Sequence, residues 1–487
     1  MKAATTTADT SIERSESCGP TLCVDLDGTL IRSDLLIETA LALLAKQPLL
    51  VFAMIIWLLK GKAHLKREIA RRVHLNPALL PYNAEVLTWV REQQTLRSTV
   101  LCTASDSALA QQVANYLGGF SQVIASDGIH NLSGTGKARA LTERFGLRGF
   151  DYVGNATVDL QVWKSANAAI VVESGERLSR AAAQVTRVER RFPQDRPPVR
   201  QWLKAMRVHQ WVKNILVFLP LLAGHMVLDI KADVSTMLAF LCFGLCASSV
   251  YITNDLLDLS SDRLHRRKRL RPFAAGTIPL YQGPPVAVGL LLAAFGLTYV
   301  LPLQFALVLA AYYVLTTAYS IKLKRMVMLD VVVLALLYTT RILAGAAAIH
   351  TLPSFWLLAF SMFIFLSLAM IKRYTELLAA KKAQNISAAG RGYDVEDISL
   401  IQSLGGTSGY LSVLVLALYI DSSASHALYR HPHYLWLWCP LLLYWISRTW
   451  AIAHRGIMHD DPVVFALKDK VSRGLLVIAA IIALASI

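Results

Sequence analysis

A soluble α/β domain followed by an all-α bundle of membrane-spanning helices is the fold class the sequence predicts. Three observations predict it. Of 487 residues, 55% are hydrophobic, and the mean hydropathy of +0.45 is too high for an ordinary soluble chain of this size. Apolar runs near the roughly 20 residues that a hydrocarbon core requires recur beyond residue 200. Ahead of them, short β-like runs alternate with helical segments.

The first part begins after a polar stretch, residues 1–19, expected to be disordered. With no apolar core of a signal peptide, this end is expected to stay in the cytoplasm. Residues 20–175 hold the runs TLCVDLDG, STVLCTAS, SQVIASDG and AAIVVE, the strands of the α/β domain. An insert at about 36–96 contains PLLVFAMIIWLLKG and then the basic KAHLKREIARRV. The apolar part is short for a span and the basic part suits an anionic lipid surface, so the insert is expected to form a cap that rests on or dips into the membrane, or else to bury a core helix. Residues 176–200 turn charged and end in FPQDRPPVR, where prolines break any helix, and are expected to form a linker.

From 201 to 487 the sequence predicts nine spans, near 211–230, 233–252, 284–301, 304–321, 327–349, 353–371, 407–421, 434–453 and 474–487. Threaded from a cytoplasmic start, the loops after even-numbered spans carry the clusters of Lys and Arg. The opposite loops hold little beyond Lys231 and Arg430. This asymmetry fixes the expected orientation with the C-terminus outside, and the inner (cytoplasmic) membrane is the expected location. It also accounts for the net charge of +16 without nucleic-acid binding. The six cysteines show no CxxC or Cys/His metal spacing, and a disulfide framework is not expected.

After the second span comes NDLLDLSSDRLHRRKRLRP. On one continuous helix Asp255, Asp258 and Asp262 would share a face. Carboxylates so close repel unless a cation sits among them, and hard oxygen ligands suit Mg²⁺ that bridges phosphate oxygens. Lys268 and Arg271 could meet the remaining phosphate charge. Further on, YSIKLKRMVMLD supplies Lys324 and Asp330. Arg341 lies among apolar residues, where a charge needs a polar cavity or a partner such as Asp330. Lys372 and Arg373 end the sixth span and either bind an anion or anchor the helix.

These residues resemble the UbiA superfamily of intramembrane prenyltransferases over residues 200–487. The NDxxDxxxD pattern matches Asn254, Asp255, Asp258 and Asp262; the second aspartate motif is incomplete, with Leu334 four positions after Asp330. QWVKN, the extension His265, Lys268, Arg271 and Pro272, KRYTEL and HDDPVVFAL are similar to the decaprenyl-phosphate phosphoribosyltransferases within it. That resemblance implies transfer of phosphoribose from 5-phosphoribosyl diphosphate to a polyprenyl phosphate in the bilayer. Asn254, His265, Lys268, Arg271, Lys324, Asp330 and Lys372 would bind substrate, with Lys213, Arg341 and Arg373 as candidate clamps for the lipid phosphate. A prenyltransferase moving a polyprenyl group from its diphosphate to an aromatic or other acceptor needs the same site and is the alternative.

In VDLDGTL, Asp25 and Asp27 project to one side of a strand end, where one carboxylate can attack a phosphoryl group and the other handle the leaving group's proton. With Thr103, Lys137 and GNATVDL, the order resembles the haloacid dehalogenase superfamily, a Rossmann-like α/β fold with a helical cap. The resemblance implies Asp25 as nucleophile, Asp27 as general acid and base, Thr103 and Lys137 as phosphate binders, and Asp159 as an acidic residue of the fourth motif. Mg²⁺ would sit on Asp25, Asp27 and Asn155. Because Asn155 stands where these phosphatases commonly carry an aspartate, the domain is either a phosphatase or a degenerate binding module. As a phosphatase it would remove the 5-phosphate left on the lipid product.

Overall fold

TLCV, the first of the β-like runs, becomes strand β1 (Thr21–Val24) at the centre of a six-stranded parallel sheet in the computed structural model. The structure describes residues 19–173, 175–194, 197–384, 391–458 and 461–487; residues 1–18 of the expected disordered end lie outside them. The chain forms two units, Met1–Ala205 with Asp255–Pro284, and Met206–Asn254 with Pro285–Ile487.

In the first unit the other strands are β2 (Thr99–Asp106), β3 (Gln122–Ser126), β4 (Phe150–Gly154), β5 (Ala168–Glu173) and β6 (Arg187–Pro193), in the order β3-β2-β1-β4-β5-β6. β1 and β5 are buried along almost their whole length, as expected of strands covered on both faces. Helix Ala84–Gln94 covers one face through Val86, Trp89 and Val90. β6 corrects the expected linker. RVERRFP is charged because it is an edge, and arginines with a terminal proline keep such an edge from pairing further. Phe192 of this strand is buried in the core, and Val188 packs partly buried against a second core cluster.

The insert folds as α1 (Leu35–Lys46), α2 (Leu50–Leu59) and α3 (Lys62–Ala70) around Leu43, Leu65, Ile69 and Val73. No residue of α2 is buried, which overturns the reading of it as a core helix. The second difference is the loop Asp255–Pro284, expected with the membrane bundle. It groups with this unit because Arg263 makes a two-pronged ion pair with Glu38 of α1, at 2.9 and 2.7 Å, both side chains nearly dry. Arg263→Ala leaves Glu38 buried without its partner and is expected to cost roughly 3–5 kcal/mol. Hydrogen exchange across α1 measures it, and adding Glu38→Ala should recover part of the loss.

Among the described residues, six helices are long and apolar enough to cross a membrane: Ile230–Leu257, Leu280–Val300, Leu303–Ile321, Leu329–Ala348, Phe355–Lys382 and Val395–Ile420. The chain is therefore read as membrane-integral. Three of the nine expected spans correspond to shorter helical segments, Val208–Ala223, Trp438–His454 and Lys470–Ser486. Val208–Phe218 is wound as a 3₁₀ helix and α-helical geometry begins only at Leu219–Ala223. A Cβ at Gly345 would lie 2.0 Å from the carbonyl oxygen of Val217, so only glycine lets that segment pack against helix Leu329–Ala348.

Candidate active sites

Strand order reverses between β1 and β4, and the crevice beyond their carboxyl ends is where an open parallel sheet binds ligands. Asp25 follows β1, Asn155 follows β4, and Thr103 lies in β2. Lys137, from helix Thr135–Phe145, donates to Asp25 Oδ1 (2.7 Å) and to the Tyr152 hydroxyl (2.7 Å). Tyr152 in turn donates to Asp159 Oδ1 (3.1 Å), and Asp159 Oδ2 accepts from the backbone N–H of Asn155 and Ala156. Asp159 thus shapes the turn that presents Asn155. Burial pushes the Asp25 carboxyl upward, with Asp159 and Asp27 adding to the effect and Lys137 opposing it.

Thr29 Oγ1 lies 3.3 Å from Asp25 Oδ2 and 3.2 Å from Asn155 Oδ1, which brings two oxygen donors of the kind Mg²⁺ takes to one place. Asp27 is held differently. Its Oδ2 accepts from Thr103 (3.0 Å) and Ser105 (2.7 Å) and its Oδ1 from the Leu35 N–H (2.8 Å). Thr103, expected on a phosphate oxygen, here orients Asp27. Gly28, at φ +73°, is required: a Cβ would sit 2.1 Å from Asn155 Nδ2. Gly28→Ala is expected to cost ~1–3 kcal/mol of strain and to displace Asn155. Thermal unfolding of the full chain measures the first, and the side-chain amide signal of Asn155 in an NMR spectrum reports the second.

A cavity of about 890 Å³ adjoins this crevice, with Asp27 and Asn155 on its wall together with Leu280 and Tyr281, the first residues of helix Leu280–Val300. Arg32 and Arg177 add positive charge to its lining. Sequence reading missed Lys66 of α3, whose ammonium reaches the Ala104 carbonyl (2.5 Å) and Asn131 Oδ1 (2.9 Å). Burial lowers its pKa while Asp27 and Asp34 pull it up. Its only signal was position in a basic insert.

The aspartate-rich segment departs from the expected single helix. Helix Ile230–Leu257 ends one residue before Asp258, which sits at φ −93°, ψ 11°, and a new helix runs Leu259–Leu264. Asp258 therefore does not share a helical face with the other two. Asp255 (2% exposed) and Asp262 (1%) still converge: Arg271 Nη1 donates to Asp255 Oδ1 at 3.1 Å and to Asp262 Oδ2 at 2.6 Å. Two buried carboxylates aimed at one nitrogen form an oxygen donor set that fits a hard cation, the place a guanidinium fills here. Among the described residues no group of three or more His, Cys, Asp or Glu is gathered for a metal. His265 and Lys268 are exposed, and the His265 ring accepts the N–H of Arg267 (3.2 Å) and Lys268 (3.4 Å), so it caps a local turn.

Among the described residues, three polar clusters of the second unit contain residues singled out from the sequence. Asp330 and Arg373 are both fully buried and paired at 2.8 Å, with Tyr393 also on Asp330 and Glu376 on Arg373. Arg341 is therefore not the partner of Asp330; its Nε donates to Asn214 Oδ1 (2.9 Å) and its Nη2 to the Tyr312 hydroxyl (3.2 Å). Lys213 (2.7 Å) and Lys372 (3.5 Å) meet on Asp461, which also accepts from Tyr338. Asp461, in the motif HDDPVVFAL, was not singled out; its signal was the position before Pro462, where it caps helix Pro462–Lys468. His459 and Asp460 of that motif lie outside the described residues. Asn254 Nδ2 donates to Ser320 (2.9 Å), tying two helices, while Lys324 is half-buried beyond the end of Leu303–Ile321.

Long apolar helices with buried, paired charges define a membrane-integral protein whose interior handles polar groups. The UbiA prenyltransferase family matches residues 217–468, more than half of the chain, and the chain belongs to that family. An uncharacterized protein, y4nM, of Sinorhizobium fredii is 38% identical over 93% of this chain and 88% of its own length. The decaprenyl-phosphate phosphoribosyltransferase of Mycolicibacterium smegmatis is 30% identical over 55% of this chain and 86% of that enzyme. A solved UbiA homolog from Archaeoglobus fulgidus, bound to GPP and Mg²⁺, covers 58% of this chain and 99% of its own, with 13% identity and a TM-score of 0.45.

Proposed function

We propose that the membrane part moves a phosphoribosyl group from 5-phosphoribosyl diphosphate to a polyprenyl phosphate, and that the first unit then removes the 5-phosphate. The observation that carries this reading is the convergence of buried Asp255, in the last turn of helix Ile230–Leu257, and Asp262, in the segment after it, on one cation position. Likeness to decaprenyl-phosphate phosphoribosyltransferase supports the choice of donor.

In the transfer, the bond between ribose C1 and the diphosphate oxygen breaks, and diphosphate departs with the electron pair. A lipid phosphate oxygen forms the new bond to C1. Asp255 and Asp262, with Asp258 beside them in the chain, would hold Mg²⁺. When bound, the ion supplies positive charge for the leaving diphosphate. Arg271, already between the carboxylates, adds a cation for the same oxygens. Two buried donors, Asn214 Nδ2 and Arg373 Nη2, have no hydrogen-bond partner among the described residues. Such groups suit phosphate oxygens of a head group.

The first unit, read as a haloacid dehalogenase-type phosphatase capped by its insert, takes the next step. The Asp25 carboxylate attacks phosphorus, the P–O ester bond breaks, and the ribosyl oxygen leaves with a proton from Asp27. Water then attacks the aspartyl phosphate, gives its proton to Asp27 and frees inorganic phosphate. A cavity bounded by Asp27, Asn155 and the first residues of Leu280–Val300 suits a phosphate carried on a lipid. Loop charges support an inner-membrane location with this unit cytoplasmic and the C-terminus outside.

The test is incubation of membranes containing the protein with labelled 5-phosphoribosyl diphosphate and polyprenyl phosphate. Mg²⁺-dependent label in the lipid extract is expected. Label that never leaves the aqueous phase, or transfer of polyprenyl from its diphosphate to an aromatic acceptor, would overturn the reading.

A further inference from the structure

α2 is apolar on every side: LVFAMIIWLL has no polar residue in ten. One face has a use. Leu50, Met54 and Trp57, spaced i, i+4, i+7, close the small core formed by α1 and α3. The opposite face has none among the described residues: Phe52 is 66% exposed, Ile55 55%, Ile56 56% and Leu59 84%. A helix that needed only to seal that core would carry polar residues at these positions. Exposed lysines stand at both ends, Lys46 before α2 and Lys60 and Lys62 after it.

The chain says what lies nearby. Glu38 of α1 is clamped by Arg263, six residues after helix Ile230–Leu257 ends, and Gly276, four before Leu280–Val300 begins, packs on Arg32 and Pro81 beside the insert. The insert is thus held near both ends of a segment whose flanking helices are long and apolar enough to cross a membrane.

We propose that α2 is a monotopic anchor, its outward face immersed in the leaflet on that side, with the lysines at its ends on anionic head groups. Ten residues make a helix of ~15 Å, about half a hydrocarbon core, so α2 dips and does not cross. Immersed apolar side chains and flanking cations are the two attractions an interfacial helix uses. The anchor stands whether or not the first unit is a phosphatase.

The test uses the full chain in nanodiscs of phosphatidylethanolamine and phosphatidylglycerol. Cys18→Ser is combined with Ile55→Cys and a nitroxide is attached; Cys23, Cys102, Cys242, Cys246 and Cys439 are buried and stay unlabelled. Collisions with oxygen and with a water-soluble nickel chelate are compared with those at Ile129→Cys, exposed in the first unit, and Leu292→Cys, exposed on helix Leu280–Val300. At Ile55 the nickel collisions are expected to be about fivefold or more below those at Ile129, with oxygen collisions near those at Leu292. Phe52→Cys, on the same face, should agree. Nickel access equal to that at Ile129 overturns the proposal, because the helix is then in water. Protection from both reagents overturns it too, because a second copy or another protein then covers the face.

Discussion

Asp255→Asn is expected to lower Mg²⁺-dependent transfer of label into lipid by about 100- to 1,000-fold, the usual effect of removing one group that stabilises developing charge. The substitution keeps the shape of the side chain and still accepts from Arg271, so the loop should hold its conformation. What it removes is negative charge beside Asp262, and with it the attraction for a divalent ion. The concentration of Mg²⁺ giving half-maximal transfer should therefore rise in the variant, and chelation should stop the wild type. Phosphate release from a preformed lipid phosphoribosyl product should continue. Transfer within twofold of wild type would remove the catalytic role of the pair and leave Asp255 a structural partner of Arg271.

Asp25→Asn is expected to reduce phosphate release by at least about 1,000-fold, because an amide cannot form the acyl phosphate. Transfer in the same membranes should persist, so the phosphorylated lipid should accumulate, read as retained phosphate on the extracted product. The amide still accepts from Lys137, which limits disturbance of the buried pair. Phosphate release that survives the change excludes Asp25 as nucleophile and favours a binding role for the first unit. Because the two substitutions act on separate steps, their combination distinguishes a two-step enzyme from one in which either site is idle.

The sites were unevenly legible. Asp25 could be placed from VDLDG because it follows an apolar run that reads as a strand, whereas Asn155 and Asp159 rested on the resemblance carried by GNATVDL. Tyr152 and Ser105, which join that site to Asp159 and Asp27, gave no local signal. In the aspartate-rich segment, spacing suggested three carboxylates on one helix face. The helix breaks at Asp258, Asp255 and Asp262 converge, and the group they converge on comes from nine residues after Asp262. For Arg341 the need for a partner could be read from its apolar neighbours. Which partner could not, and it proved to be Asn214 and Tyr312.

By itself the sequence determined what depends on local, additive terms: the cost of hydrocarbon against water along each run, the alternation of strands and helices, and the charge bias of the loops. Only the tertiary structure decided what depends on registration between distant segments. It placed VERRF as an edge strand, fastened the loop Asp255–Pro284 to the insert through Arg263 and Glu38, and left one side of α2 uncovered. A buried charge must be satisfied by some opposite group, and many placements meet that requirement equally well in the sequence. Packing of the whole chain selects one of them.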